Sequence, residues 1–186
     1  MIFFTSDTHW SHTNILEFCN RPFSDVREMN EKLIENWNAT VSKDDEIYHL
    51  GDFSFDGPSE TFKIIKRLNG KKTFLIGNHD RSLIKIQDQL PECRFLYGIH
   101  SLEFHVYMGE TLRTQQIDIC HYPLLEWPGY YRKAIHLHGH QHNKSNLKEE
   151  MKLGYSPRRY DVGVDANHYF PISLHDIIKT IDGRVN

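Results

Sequence analysis

Three short apolar runs alternate with two amphipathic stretches in the first half of the chain, and this alternation strongly limits the folds available to it. Ile2 to Thr5, Glu46 to Leu50 and Thr73 to Ile76 have the length and composition of buried strands. The stretch that begins at Asp25 and the stretch Pro58 to Leu68 carry apolar residues at helical spacing. The order strand, helix, strand, helix, strand favours a parallel sheet connected by crossovers.

Two helix starts have explicit capping signals. Asp25 is followed three residues later by Glu28, which is the spacing of a capping box. A last helix is predicted to begin with Ser173 as its N-cap and Asp176 at its third position, and to run through Ile181. Both helices are therefore expected to begin at defined residues.

The second half of the chain has a different pattern, with predicted strands and little helix between them. These strands are Arg94 to Tyr97, Leu102 to Met108, Gln115 to Cys120 and Ile135 to His138. An antiparallel sheet is the simplest arrangement for such a series. Because the 186 residues contain 39% hydrophobic side chains and no linker or repeat, we expect a single domain over residues 1–186.

The ends of the predicted strands carry polar clusters. Asp7, Asp52 and Asn78 each follow one strand of the first half, and carboxyl ends of parallel strands meet at one edge of a sheet. The chain also has 13 histidines, and imidazole is the commonest protein ligand for transition metals. The segments concerned are Asp7-Thr8-His9, Gly51-Asp52, Gly77-Asn78-His79-Asp80, Cys120-His121-Tyr122-Pro123 and Gly139-His140-Gln141-His142.

These segments, in this order, resemble those of the calcineurin-like metallophosphoesterase family over Ser6 to His142. The resemblance implies an α/β fold (an α+β sandwich) with two mixed β-sheets flanked by helices in a four-layer sandwich. It also implies two divalent transition-metal ions per chain, from among Mn, Fe, Co, Ni and Zn. Its motifs place Asp7, His9 and His142 at one ion, Asn78, His121 and His140 at the other, and Asp52 between the two.

The same resemblance implies a metal-dependent phosphohydrolase that uses a metal-bound hydroxide against a phosphomonoester or phosphodiester, with nucleotides among the candidates. His79 takes the role of general acid in that family pattern, and Asp80 is a candidate for orienting it. We expect His12 and Arg21, which follow the first motif, to bind the substrate. Two divalent ions beside Asp7 and Asp52 leave a surplus of about two positive charges for a phosphate group.

Two other functions remain open on the sequence. A metal-dependent nuclease is the nearest alternative, but the formal charge of −3 argues against a surface that binds nucleic acid through many cations. A catalytically silent interaction scaffold of the same fold would be expected to lack ligands, and this chain has all of them. We therefore expect a small phosphate-ester substrate rather than nucleic acid, while the oligomeric state stays open.

The sequence also predicts a location. No apolar segment approaches the roughly 20 residues of a membrane span, and no signal peptide is visible, so we expect no membrane partner. The three cysteines are widely spaced, which suits reduced thiols better than a disulfide framework. These features favour the cytoplasm.

Overall fold

The computed structural model describes residues 1–144, 151–152 and 156–185 and contains two mixed β-sheets. The first sheet has the strand order β4-β3-β2-β1-β9. Its strands are β1 (Ile2–Thr5), β2 (Glu46–His49), β3 (Lys71–Leu75), β4 (Arg94–Leu96) and β9 (Ile172–Ser173). β1 to β4 are parallel, as the alternation of strands and helices predicted for the first three, and β9 joins β1 in the antiparallel direction.

The second sheet has the order β5-β6-β7-β8 and is mixed as well. Its strands are β5 (His100–Met108), β6 (Thr111–Ile119), β7 (Ile135–His138) and β8 (Arg159–Asp161). β5 and β6 form an antiparallel hairpin, but β7 is parallel to both β6 and β8. The prediction of an antiparallel sheet was therefore wrong for β7, because the crossover from β6 to β7 runs through loop and one 3-10 turn instead of a recognisable α-helix. No strand was predicted at β8.

The strand at Arg94–Leu96 also lies elsewhere than predicted. It pairs with β3 in the first sheet, not with the strands of the second half. A short helix that the sequence analysis did not identify, α4 (Arg81–Ile86), supplies the crossover that makes this parallel pairing feasible.

Further helices with described bounds are α1 (Ile15–Phe18), α2 (Val26–Thr40), α3 (Pro58–Arg67) and α5 (Leu174–Val185). The Asp25 side chain caps α2 by accepting from the Glu28 backbone N–H at 2.8 Å, as predicted. Glu28 does not complete the box on Asp25, because its carboxylate accepts from the backbone N–H of Ser24 at 2.7 Å. At α5, the Ser173 hydroxyl oxygen accepts from the Asp176 N–H at 3.1 Å, which confirms that start.

The first sheet is buried on both faces. The helices α2, α3 and α4 cover one face around a core that includes Trp37 and Phe74. The second sheet and α5 cover the other face, where Phe4 packs in one cluster with Leu137 and Ile178. Two mixed sheets flanked by helices are the fold class that was predicted, and this class is confirmed.

The outer face of the second sheet is covered in part by irregular chain. His136 and His138 are fully buried there. The ring of Trp127, from the loop after β6, lies 5.1 Å from the ring of His136.

Over the described residues, no helix has the length and apolar character that a membrane crossing requires.

The cap of α2 gives a test of the fold alone. Replacing Asp25 by Ala leaves the Glu28 N–H without its acceptor, so we expect the free energy of unfolding to fall by about 1 kcal/mol. Asp25→Asn keeps a capping oxygen and should change it by much less. Urea denaturation of the three proteins measures the difference, and equal losses for both variants would show that charge, not capping, stabilises this end.

Candidate metal centre

The carboxyl ends of strands from both sheets converge on one place. The residues concerned follow β1 (Asp7, His9), β2 (Asp52), β3 (Asn78), β6 (His121) and β7 (His140, His142). Backbone hydrogen bonds join these loops directly. The Asp7 N–H donates to the Gly51 carbonyl at 3.0 Å, and the Gly139 N–H donates to the His121 carbonyl at 3.0 Å. Each of these bonds lies within one sheet, and the Val164 N–H, after β8, donates to the Ser6 carbonyl, after β1, at 3.1 Å and so connects the loops of the two sheets.

Asp7, His9 and His142 form the first ligand group. One potential ligand atom from each lies within 4.8 Å of the others. The His9 Nε2 atom is 3.9 Å from the Asp7 Oδ1 atom, and both side chains are almost completely buried. These are the three residues that the family resemblance assigns to one ion.

Asp52, His121 and His140 form the second group, again within 4.8 Å of one another. The Asn78 Oδ1 atom lies 3.0 Å from the His121 Nε2 atom, so the amide joins this group. The structure thus brings together all seven side chains that the sequence singled out as metal ligands.

The Asp52 carboxylate lies between the two groups. Its Oδ2 atom is 3.7 Å from the His9 Nε2 atom and 3.5 Å from the His121 Nε2 atom. Its Oδ1 atom accepts a hydrogen bond of 2.9 Å from the backbone N–H of His79. No other carboxylate among the described residues approaches both groups in this way.

The first group fits a divalent ion because it contains buried polar atoms without partners. The Asp7 Oδ1 atom and both ring nitrogens of His9 are buried and accept or donate no hydrogen bond. Such atoms cost free energy unless something binds them. Metal bonds of about 2.0–2.2 Å place two ligands of one ion at most about 4.4 Å apart. The separations of the histidine nitrogens from Asp7 and Asp52 meet this requirement.

The backbone around the ligands is strained. Five of the seven candidate ligands have positive φ, between 50° and 68°: Asp7, His9, Asp52, His140 and His142. Only a few per cent of residues other than glycine adopt this conformation, and each costs about 1–3 kcal/mol. Strain of this kind concentrates at functional sites, where the surrounding contacts hold it in place.

Burial controls the protonation of the first group. It raises the pKa of Asp7 to about 7 and lowers the pKa of His9 to about 2. Burial alone would also raise the pKa of Asp52, but its hydrogen bonds from His121 and from the His79 backbone lower it below its usual range. His9 is therefore a neutral imidazole at physiological pH, the form that binds metals.

The glycine before His140 makes room for the Asp7 carboxylate. A Cβ atom on Gly139 would stand 2.2 Å from Asp7 Oδ2 and equally close to the Ser6 hydroxyl. The carboxylate fills that space and accepts from the His140 N–H at 2.9 Å and from the Ser6 hydroxyl at 2.5 Å. Close approach, rather than a special backbone angle, explains this glycine.

Arg21 does not have the substrate-binding position that the sequence suggested. Its side chain is buried, its Nε and Nη2 atoms donate to both carboxylate oxygens of Asp165 at 2.8 Å, and the guanidinium also donates to the Asp7 and Thr8 carbonyls. A guanidinium with these partners is not available to a substrate. We therefore correct the assignment: Arg21 fixes the backbone of the first ligand loop.

Asp165 is the residue that the sequence analysis missed. Its Oδ2 atom lies 2.8 Å from the Nδ1 atom of His142, which leaves Nε2 as the ring nitrogen for a metal. Burial disfavours protonation of His142, but its hydrogen bonds to Asp165 and to Cys19 raise its pKa to about 10. A carboxylate behind a metal-binding histidine orients the ring and increases its basicity. The sequence offers only a weak signal for it, an aspartate after Gly163 beyond β8.

Asp80 also has a different role from the one expected. Its buried carboxylate accepts from three backbone N–H groups, those of Asp52 (2.9 Å), Phe53 (2.7 Å) and Gly77 (2.7 Å). All of these contacts are to the loops after β2 and β3. Asp80 therefore holds these two loops together, and the expectation that it orients the His79 ring is corrected.

His79 and His12 lie at the open side of the centre. The His79 ring is 4.8 Å from the ring of Phe55 and 5.9 Å from that of His9. The His12 ring stacks on Phe55 with centroids 3.8 Å apart. His12 and His79 line one cavity of about 400 Å³ together with the ligands His9 and His142. Both residues are thus placed where a bound molecule could meet them.

The chain is similar to several known proteins over nearly its whole length. It is 32% identical to the uncharacterized protein MJ1445 of Methanocaldococcus jannaschii, over 99% of this chain and 93% of that protein. It is 27% identical to the Gene 66 protein of Mycobacterium phage L5, over 88% of this chain and 86% of that protein. No family model matches the chain.

The fold recurs in a crystal structure from Aquifex aeolicus, that of AQ665, a protein of unknown function. The TM-score is 0.70, with 24% identity, and the match covers 96% of this chain and 98% of the other. This likeness supports the arrangement of the sheets and helices. The identity and coverage shared with the archaeal protein show more, namely that this chain belongs to the same protein family as MJ1445.

Proposed function

We propose that the protein is a metal-dependent phosphoesterase of the calcineurin-like kind, acting on a phosphomonoester or phosphodiester with two divalent transition-metal ions. Asp7, His9 and His142 would hold one ion, and Asn78, His121 and His140 would hold the other. Asp52 would be shared. When bound, such ions neutralise phosphate charge and activate water as a nucleophile.

The position of Asp52 carries this proposal. Its Oδ2 atom lies within 3.7 Å of a histidine nitrogen from each ligand group. The His79 backbone N–H donates a hydrogen bond to the same carboxylate, and the Asp80 carboxylate accepts one from the backbone N–H of Asp52. A carboxylate that is fixed and buried between two groups of potential ligands is suited to two neighbouring cations and poorly suited to one surface ion.

The charge balance supports an anionic substrate. The two ligand groups contribute only the two negative charges of Asp7 and Asp52, because the remaining ligands are histidines and an amide. The nearby Asp165 is paired with Arg21 and adds no net charge. Two divalent ions would therefore leave a surplus of about two positive charges, which matches a phosphate dianion.

His79 is the candidate proton donor. Its backbone N–H donates to Asp52, and His79 is exposed and lines two cavities that Phe55 also lines. A ring nitrogen of His79 can donate a proton to the leaving oxygen of an ester bound at the centre.

We also propose a cytoplasmic location, which the free thiols of Cys19, Cys93 and Cys120 support.

Changing Asp52 tests the shared centre. Asp52→Asn removes a negative charge and one good acceptor oxygen, so we expect the metal content to fall from two ions per chain and hydrolysis of phosphate esters to be nearly abolished. Elemental analysis measures the metal content, and an assay on the metal-reloaded protein measures the hydrolysis. In the wild type, removal of the metals by chelation should abolish activity more fully than 0.2 M NaCl does. Two tightly bound ions and normal turnover in Asp52→Asn would contradict the shared position.

Changing Asp165 tests its action through His142. Asp165→Asn weakens the acceptor for the His142 ring, so we expect metal affinity to fall about 10–100-fold. Isothermal titration of the metal-free protein with Mn²⁺ measures it. The exposed Asp44 provides a control, since Asp44→Asn changes the same charge away from the centre. If both variants bind Mn²⁺ with wild-type affinity, the role of Asp165 is to pair with Arg21, and its contact with His142 does not strengthen metal binding.

Changing His79 tests the proton donor. His79→Gln should keep both ions, since its side chain belongs to neither ligand group, but turnover should fall by about 10²–10⁴-fold on an alkyl or nucleoside ester. A nitrophenyl ester, whose leaving group departs without a proton, should lose much less. Steady-state rates on both esters distinguish proton donation by His79 from binding of the phosphoryl group. An equal loss on both would mean that His79 binds the phosphoryl group instead.

A further inference from the structure

A cavity of about 400 Å³ opens directly beside the first ligand group. His9, His79 and His142 form the part of its lining that belongs to the candidate centre. An ester whose phosphorus lies at that centre must place its organic part in the adjoining space. The chemistry of the remaining lining residues therefore selects the substrate.

An aromatic row forms one wall of this cavity, and we define it as Phe18, His12 and Phe55. The His12 ring stacks on Phe55 at 3.8 Å, with an angle of 8° between the planes. The Phe18 ring meets His12 edge to face at 6.2 Å. Phe18 remains 60% exposed and Phe55 42% exposed, so both present apolar surface to whatever enters.

The rest of the wall has few groups that could bind hydroxyls. Ile15 and Cys19, at the two ends of α1, also line the cavity, and among the described residues Lys144 is the one lysine, arginine or acidic side chain in the lining. Within the part of the chain that the structure describes, the lining has no carboxylate or amide side chain. A sugar or polyol needs several hydrogen-bond partners when it leaves water, and this wall does not provide them.

A second cavity, of about 430 Å³, shares Phe55 and His79 with the first and is more polar. Ser54, Asn78, Arg81 and Ser82 line it. The two cavities thus differ in chemistry although both reach His79. Phosphate oxygens and hydroxyls suit the second, which leaves the aromatic row for a flat apolar group.

We propose that the aromatic row binds the aromatic ring of the substrate, so that the substrate is a nucleoside or other aryl-bearing phosphate ester and not a sugar or polyol phosphate. The inference rests on the proposed phosphoesterase function and adds its specificity. Stacking on exposed aromatic side chains is tolerant of the base, because every base has a π-face. The row therefore selects for the presence of a ring more than for its identity.

The test compares two substrates that differ only in the base, adenosine 5′-monophosphate and ribose 5-phosphate. Both have the same leaving oxygen, so the ratio of their kcat/KM values reports the ring alone. The metal-loaded wild type should favour the nucleotide, and Phe18→Ser should lower that ratio by at least about fivefold. Titration calorimetry should show the same loss in affinity for the nucleotide relative to inorganic phosphate.

Tyr107→Ser is the matched control, since Tyr107 is a similarly exposed ring at the end of β5. It should leave the ratio unchanged. If the wild type hydrolyses both substrates equally well, or Phe18→Ser keeps the wild-type ratio, the aromatic row is not a ring-binding site, while the phosphoesterase proposal stands. If the metal-loaded protein neither binds phosphate nor hydrolyses any ester, both proposals are overturned.

Discussion

Two carboxylates, Asp7 and Asp52, are buried where the two sheets meet, and the structure around them is organised to make that burial tolerable. A buried ionised group costs several kcal/mol unless it is paired or hydrogen-bonded. Ser6 and the His140 N–H bind Asp7, and the His79 N–H binds Asp52. One oxygen of Asp7 and the ring of His9 still have no partner, and this deficit is what makes the centre a strong candidate for cations.

The loops that carry these groups are fixed by buried charges of a different kind. Asp80 binds three backbone N–H groups of the loops after β2 and β3. Arg21 binds the carbonyls of the first loop and pairs with Asp165 behind His142. These contacts offset the cost of left-handed backbone at the ligands, because buried hydrogen bonds to charged groups are each worth about 1.5–3 kcal/mol.

Much of this arrangement could be predicted because strand ends and ligand types are local properties of the sequence. The positions of Asp7, Asp52 and Asn78 after apolar runs indicated a common edge, and the structure places them there. The roles of Arg21 and Asp80 could not be predicted, since a surface arginine and a buried one have the same local sequence. The same limit applied to β7, whose parallel pairing depends on the path of a loop without regular periodicity.

The bond between Arg21 and Asp165 joins residues that are 144 positions apart. During synthesis, Asp7, His9 and Asp52 leave the ribosome long before His140, His142 and Asp165. The parallel strands of the first sheet, β1 to β4, can pair early, but the centre is completed only when the last third of the chain has docked. If the centre binds cations as proposed, the complete ligand set would exist only after the last third of the chain has folded against the first sheet.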